Sequence, residues 1–234
     1  MCVVALSLHQ HPDWPILLAG NRDELHARAS APLHMWDDDS GIIAGRDLVG
    51  GGTWLGVQPK AQRVVVVTNA RSGDAPDPEK HSRGVLVRDL LTGTGDFAAP
   101  DVPQLGDFNG FNLIAVQSAA ARVMTNRPDA KIRALGSGMH ALANEIVDHD
   151  CPRAARLAAV VQHWLAAGDI PETLLDALGG EEAPALFLNG PVYGTRCSTL
   201  IAVGADGAGL MIERRFGPER RAAGETRLVF RWGG

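Results

Sequence analysis

Residues 1–24 read MCVVALSLHQHPDWPILLAGNRDE and hold the pattern from which the fold follows. Two short apolar runs, Val3 to Leu8 and Pro15 to Ala19, are typical of β-strands, and the second runs into a polar cluster. In an antiparallel pair, the start of the first strand lies beside the end of the second. The stretch therefore predicts two paired strands that place Cys2 beside the Arg22-Asp23 dipeptide.

Cys2 follows the initiator methionine, and its small side chain is the usual context for removal of Met1. Removal would leave a thiol and a free α-amine on one residue. The amine has an ordinary pKa near 7.7–8.0, so it can accept a proton near neutral pH. A thiol with its own base is suited to acyl transfer. The alternative is that Cys2 is a small buried residue at the start of a strand.

Arg22 and Asp23 belong to the cluster Asn-Arg-Asp-Glu at 21–24, which in isolation is a polar turn. Beside Cys2 the two residues gain a chemical role. Arg22 would favour the thiolate by its charge, and Asp23 could orient the amine through a hydrogen bond. Both interpretations stay open on the sequence alone.

The rest of the chain places strands in runs, then helices, then strands again. That order favours an α+β fold with antiparallel sheets over a doubly wound parallel sheet. A run of four valines within 63–69 predicts a strand buried on both faces. Further strands are predicted at 53–57, 63–69, 111–116, 122–125, 198–203, 210–214 and 227–232, and helices at 83–91, 152–167 and 171–178.

Composition excludes several classes of protein. The 234 residues are 45% apolar and 21% charged, which suffices for a substantial core, and the net charge of −5 with no basic block argues against nucleic acid as a partner. No apolar run approaches the roughly 18 residues of a membrane span, and the start lacks a positively charged signal region. Three cysteines without a CxxC pair argue against disulfides and favour a cytoplasmic location.

Other motifs are weak. Residues 136–141 match the dinucleotide pattern GxGxxA, but no βαβ unit surrounds them. His9 and His11 alternate on one possible strand face, where two histidines could bind a metal, yet no third ligand is in sight. We therefore interpret them as surface residues and expect no metal site.

Seven motifs occur in an order that resembles one known family. The chain resembles the NRDE family, also called the transport and Golgi organisation protein 2 family, and the resemblance spans a single domain over 1–234. The motifs are Met1-Cys2, Asn21 to Glu24, Gly51 to Gly56, Thr68-Asn69, Ser82 to Gly84, Asn109 to Leu113 and Tyr193 to Arg196.

That family resembles the N-terminal nucleophile (Ntn) hydrolases, especially the cysteine acylases of linear amides, such as penicillin V acylase and bile salt hydrolase. The resemblance implies a four-layer αββα sandwich, with two antiparallel sheets between helix layers. It implies Cys2 as nucleophile flanked by Arg22 and Asp23, and Asn69 as donor to the oxyanion. Asn144 and Arg196 would be further polar residues of the site.

Two functions follow from the resemblance. The first is hydrolysis of a linear amide or acyl bond by Cys2, which requires no metal or cofactor, and which retention of Met1 would prevent by blocking the amine. The second is an intracellular carrier of haem or of an acyl or lipid ligand that uses the same cleft without turnover, because family members have been linked to haem trafficking and acyl-lipid metabolism. The expected partner is therefore a small molecule in either case.

Overall fold

The computed structural model describes residues 2–71, 75–145, 147, 150–168 and 170–233. Met1, on whose removal the proposed base depends, lies outside the described residues. The helices are α1 (Arg83–Thr92), α2 (Pro152–Ala167) and α3 (Pro171–Ala177). The strands are β1 (Val3–Leu8), β2 (Ile16–Leu25), β3 (Ser30–Met35), β4 (Ile43–Asp47), β5 (Leu55–Gln58), β6 (Arg63–Asn69), β7 (Phe111–Gln117), β8 (Ala120–Thr125), β9 (Lys131–Leu135), β10 (Gly138–Leu142), β11 (Tyr193–Val203), β12 (Ala208–Phe216) and β13 (Ala222–Arg231).

The chain divides into two compact units, each built on one antiparallel sheet. Unit 1 comprises Met1–Arg28, Ser137–Ala143 and Asp150–Trp232, and unit 2 comprises Ala29–Gly136, Asn144–His149 and Gly233–Gly234. Strand order is β10-β1-β2-β11-β12-β13 in unit 1 and β3 to β9 in sequence order in unit 2. The sequence predicts a single domain over 1–234. The division into two compact units does not test that prediction, so it stays a prediction.

In unit 1, α2 and α3 cover one face of the sheet. Side chains alternate along a strand, so every second residue of β1 and β2 faces these helices. Val3 and Leu17 belong to the resulting core, together with Leu157 and Trp164 of α2. Pro152 occupies the first turn of α2, where its missing N–H costs nothing, and the helix ends at Gly168 in the left-handed conformation. Packing against α2 and α3 therefore fixes which side chains of β1 and β2 point toward the helices.

In unit 2, α1 packs against β5 and β6 over an apolar core. Ser82 caps the helix by accepting a hydrogen bond from the Gly84 N–H at 3.3 Å, and Gly93 ends it with a positive φ of 73°. The four valines of β6 are all buried, as the sequence predicts for a strand covered on both faces.

Pairing of the first two strands agrees with the prediction from 1–24, because Val3 pairs with Asn21 and Leu8 with Ile16. The sequence did not predict β3, β4, β9 or β10 as strands. β3 and β9 lie at sheet edges and expose many side chains, so their sequences lack the apolar alternation that marks a strand. The predicted strand 198–203 begins five residues earlier, at Tyr193, because polar residues extend its pairing with β2.

Candidate active site

Cys2 lies immediately before β1 and is 8% exposed. Since Val3 pairs with Asn21, the next positions outward along the two strands are Cys2 and Arg22. Arg22 in turn pairs with Cys197 on β11, so these residues follow one another across neighbouring strands. Paired residues share a face of an antiparallel sheet. The fold therefore sets Cys2, Arg22 and Cys197 in one row across neighbouring strands.

The Arg22 charge lowers the pKa of the Cys2 thiol, as the sequence predicts, but it does not set the direction of the overall shift. Burial raises the pKa of the Cys2 thiol above its ordinary value, and the Asp23 charge raises it further. The positive charge of the chain terminus, the Arg22 charge and a hydrogen bond from the Asp23 backbone lower it, without reversing the shift. Desolvation wins because the thiolate at this position has lost most of its contact with water. In the chain that retains Met1, burial therefore favours the thiol of Cys2 over the thiolate.

Asp23 follows Arg22 on β2, so its side chain lies on the opposite face of the sheet, the face covered by α2. Its carboxylate is fully buried and forms an ion pair with Arg153, with 2.7 Å between Oδ2 and Nη2. The Thr195 hydroxyl donates to the other oxygen, Oδ1, at 2.6 Å. Burial raises the pKa of the Asp23 carboxyl, while Arg153 and Thr195 oppose that shift. The carboxylate thus depends on two specific partners inside unit 1.

Arg153 was not among the residues that the sequence predicts for the site. It stands in the first turn of α2, and its guanidinium also donates to the carbonyls of Ala185 at 2.9 Å and Leu186 at 2.7 Å. These bonds hold the guanidinium against Asp23. Pro152 marks the start of the helix in the sequence, but no local signal connects position 153 with position 23, since only the tertiary fold brings them together.

Arg196 lies at a bulge of β11, between Thr195 and Cys197. Its Nη1 donates to the carbonyls of Leu25, His26 and Arg28, at 2.8, 3.0 and 3.0 Å. Burial lowers the pKa of Arg196, and the nearby Arg22 charge lowers it further. Arg196 therefore stabilises the turn that follows β2 through these hydrogen bonds, and it adds positive charge near Arg22.

Asn69 and Asn144 belong to unit 2, where they contact each other. The buried Asn144 side chain donates through Nδ2 to the Asn69 carbonyl at 2.7 Å, and its own carbonyl accepts from the Arg71 N–H at 2.8 Å. The Asn69 residue itself is exposed. This arrangement gives Asn144 a clear structural part in closing the end of β6, and the catalytic roles of both residues stay predictions.

Close packing explains Gly52, at the centre of the glycine contact in the stretch 51–56. A Cβ on Gly52 would lie 2.1 Å from the Gly84 carbonyl oxygen at the start of α1, and the Thr53 N–H donates to that oxygen at 3.3 Å. The stretch 82–84 supplies the other side of the contact, because Ser82 is the cap of the same helix. The stretches 51–56 and 82–84, two of the motifs shared with the family, thus hold the start of α1 against its sheet.

Neither metal sites nor membrane spans are found among the described residues. Within 2–71, 75–145, 147, 150–168 and 170–233, no three His, Cys, Asp or Glu side chains come together as a metal would require. Over the same ranges, no helix has the length and hydropathy to cross a membrane.

Comparison with known proteins identifies relatives along most of the chain. Residues 1–218 match the family model described as Transport and Golgi organisation 2. The human Transport and Golgi organization protein 2 homolog is 28% identical, over 97% of each chain. The mouse homolog is 28% identical over 92% of each, and the Drosophila melanogaster protein 25% identical over 55% of this chain and 52% of its own.

The fold resembles a solved structure of an Ntn hydrolase. The Caenorhabditis elegans N-acylethanolamine-hydrolyzing acid amidase ortholog superposes with a TM-score of 0.51, over 86% of this chain and 92% of its own, at 12% identity. At this identity the likeness concerns the fold alone. It confirms the predicted α+β, Ntn-hydrolase-like fold class built on two antiparallel sheets.

Proposed function

This chain belongs to the Transport and Golgi organisation 2 family, and we propose that it hydrolyses a linear amide or acyl bond with Cys2 as nucleophile. The observation that carries the proposal is the arrangement around the start of β1. A buried thiol lies in register with Arg22, and a carboxylate on the next residue is held by a dedicated arginine. Burying an ion pair is costly, so its position beside a nucleophile supports a chemical role.

In the proposed reaction, the Cys2 α-amine, freed by removal of Met1, takes the thiol proton. The sulfur then forms a bond to the substrate carbonyl carbon, and the electron pair of the C=O bond moves to its oxygen. Collapse of this intermediate expels the leaving group, which takes the proton from the ammonium and leaves a thioester. Water, deprotonated by the same amine, attacks the thioester, and the carboxylic acid departs as Cys2 recovers its proton.

The neighbouring side chains have distinct parts in this scheme. Asp23 orients the amine and stabilises the ammonium that forms, and Arg153 keeps Asp23 ionised at a buried position. Arg22 stabilises negative charge that develops on the substrate or binds a substrate anion. In this scheme the buried thiol is activated only when a base accepts its proton in the reaction.

The test is hydrolysis of N-acyl aminocoumarin amides with acyl chains of different lengths, followed by fluorescence. The purified protein, with Met1 shown to be absent by intact mass, should release the fluorophore. Cys2→Ser should lower kcat/KM by at least about 10³, since hydroxyl is a far weaker nucleophile than thiol here. Insertion of a leucine between Met1 and Cys2 should have a similar effect because it blocks the amine.

Cys151→Ser is the matched control, because Cys151 is a half-buried thiol at the start of α2 that does not lie in the Cys2 row. Its activity should equal that of the wild type. Equal rates for wild type and Cys2→Ser, or full activity with the inserted leucine, would contradict the mechanism.

A carrier of haem or of an acyl or lipid ligand is the second candidate, and one observation favours it. Burial raises the pKa of the Cys2 thiol, and a thiol is less reactive than a thiolate toward a bound ligand. A carrier predicts that Cys2→Ala binds a haem or acyl ligand as tightly as the wild type and that neither protein consumes an amide. Turnover that depends on Cys2 would exclude the carrier as the main function.

A further inference from the structure

Unit 2 contains a cavity of about 300 Å³ between α1 and strands β6 to β8. Its apolar wall includes Val65, Leu90 and Ala115, and the exposed residues Gln117 and Ala120 lie at its edge. Ligand sites in proteins start at about this volume and combine apolar walls with a few polar groups. The cavity lies within unit 2 and includes none of the residues assigned to the reaction.

Two arginines reach this cavity from opposite sides of β7. Arg63 pairs with Gln117, and Arg122 pairs with Ala115, so both side chains lie on the face of the sheet that α1 covers. With one strand between them and an offset of two residues along it, their backbones are about 12 Å apart. The small side chain of Ala115 leaves the space between them open. Long arginine side chains can therefore converge on one bound group.

The positive charge of this pair is not neutralised locally. Within the described ranges, neither Arg63 nor Arg122 forms an ion pair with a carboxylate, and Arg63 donates instead to the Leu91 carbonyl at 3.2 Å. Burial lowers the pKa of Arg122, and the charge of Arg63 lowers it further. Two like charges near each other in a partly desolvated place are unfavourable, and a bound anion would relieve both penalties.

We propose that this cavity binds a small organic oxyanion, a carboxylate or a phosphate monoester, that carries a short aliphatic chain. The head group would bridge Arg63 and Arg122, because guanidinium groups match both oxyanions in geometry. The chain would lie along Val65, Leu90 and Ala115. This is a binding site separate from Cys2, and it holds whether or not the protein is a hydrolase.

Isothermal titration of the full chain at low salt with octanoate, octyl phosphate and octan-1-ol tests the proposal. At least one of the two anions should bind, at least tenfold more tightly than the alcohol, and raising the salt should weaken it. Tighter binding of octanoate than of octyl phosphate would identify the carboxylate as the preferred head group, and the reverse would identify the phosphate.

Two variants locate the site by different means. Arg122→Gln removes one charge, and Ala115→Leu fills the cavity while keeping both charges, so each should weaken anion binding at least tenfold. Arg231→Gln, at an exposed position of β13, is the charge-matched control and should bind as the wild type does. Cys2→Ala should also bind normally, which separates this site from the proposed active site.

Thermal unfolding verifies that each variant is folded before titration. Three results would each overturn the proposal: no binding of either anion, equal binding of octanol and the anions, or unchanged binding in both Arg122→Gln and Ala115→Leu.

Discussion

The polar stretch 21–24 and the glycine-rich stretch 51–56 differ in what they contribute, although both mark the same family. In unit 1, the polar stretch buries a charge: Asp23 is fully enclosed and depends on Arg153. In unit 2, the glycine-rich stretch lets two backbones touch, with Gly52 against Gly84. The difference teaches that a motif can be specific for a family without carrying chemistry. Buried charge points to a reaction, and missing side chains point to packing.

The largest effect is expected when the buried charge loses its partner. Arg153→Met should lower the free energy of unfolding by about 3–5 kcal/mol, because it leaves the Asp23 carboxylate buried without a cation. Urea denaturation of the single variant measures this loss. Adding Asp23→Asn to Arg153→Met should recover a large part of the loss, since no charge then remains to be paired.

Arg156→Met is the control for this prediction, because Arg156 lies three residues further along α2 and donates to the carbonyls of Glu182 and Pro184. It should cost about 1 kcal/mol. A loss in Arg153→Met no larger than that in Arg156→Met would remove the contrast between the two regions.

A smaller effect is expected at the glycine contact. Gly52→Ala places a methyl group against the Gly84 backbone, so α1 must move, and the free energy of unfolding should fall by about 1–3 kcal/mol. Gly136→Ala, where a Cβ would meet no atom within 4 Å, should change stability by less than about 0.5 kcal/mol. Equal effects of the two substitutions would show that the glycine-rich motif has a role other than packing.

The smallest effect concerns the pH dependence of stability. The folded chain raises the pKa of Asp23, so it holds that proton more readily than the unfolded chain does. This contribution to stability is present below the unfolded pKa, near 3.9, and is lost as pH rises through the folded pKa. The free energy of unfolding of the wild type, relative to Asp23→Asn, should therefore fall as pH rises from about 4.

Urea titrations at several pH values between 3.5 and 7 measure this difference. If the stability of the wild type relative to Asp23→Asn rises over this range, Arg153 lowers the pKa of Asp23 by more than burial raises it. The direction assigned to that pKa shift would then be wrong.

Much of the fold could be predicted from local pattern, and part of the site could not. The apolar runs at 3–8 and 15–19 gave the correct strand pair, and with it the position of Cys2 beside Arg22. The face on which Asp23 lies follows from strand alternation, but its partner Arg153 is 130 positions away in sequence, and only tertiary packing joins them. Edge strands such as β9 gave no signal, because half-exposed strands do not need a regular apolar pattern.

The ionisation of Cys2 shows the same limit. The sequence identified the neighbouring charge of Arg22, which lowers the pKa of the thiol, but it could not supply the degree of burial, which raises it by more. Charge can be counted from a sequence, whereas desolvation depends on everything packed around the group. The strongly buried Cys197 illustrates this, since burial raises its pKa although it pairs with the same arginine.

Trapping of an acyl-enzyme tests the central claim, that Cys2 is a nucleophile, most directly. Protein lacking Met1 is mixed with p-nitrophenyl octanoate, quenched in acid at successive times, digested and analysed by mass spectrometry. The account predicts an octanoyl group on the Cys2 peptide that forms faster than any on Cys151 and disappears as water completes the cycle. Acylation of Cys151 with none on Cys2, or an adduct on Cys2 that never turns over, would contradict it.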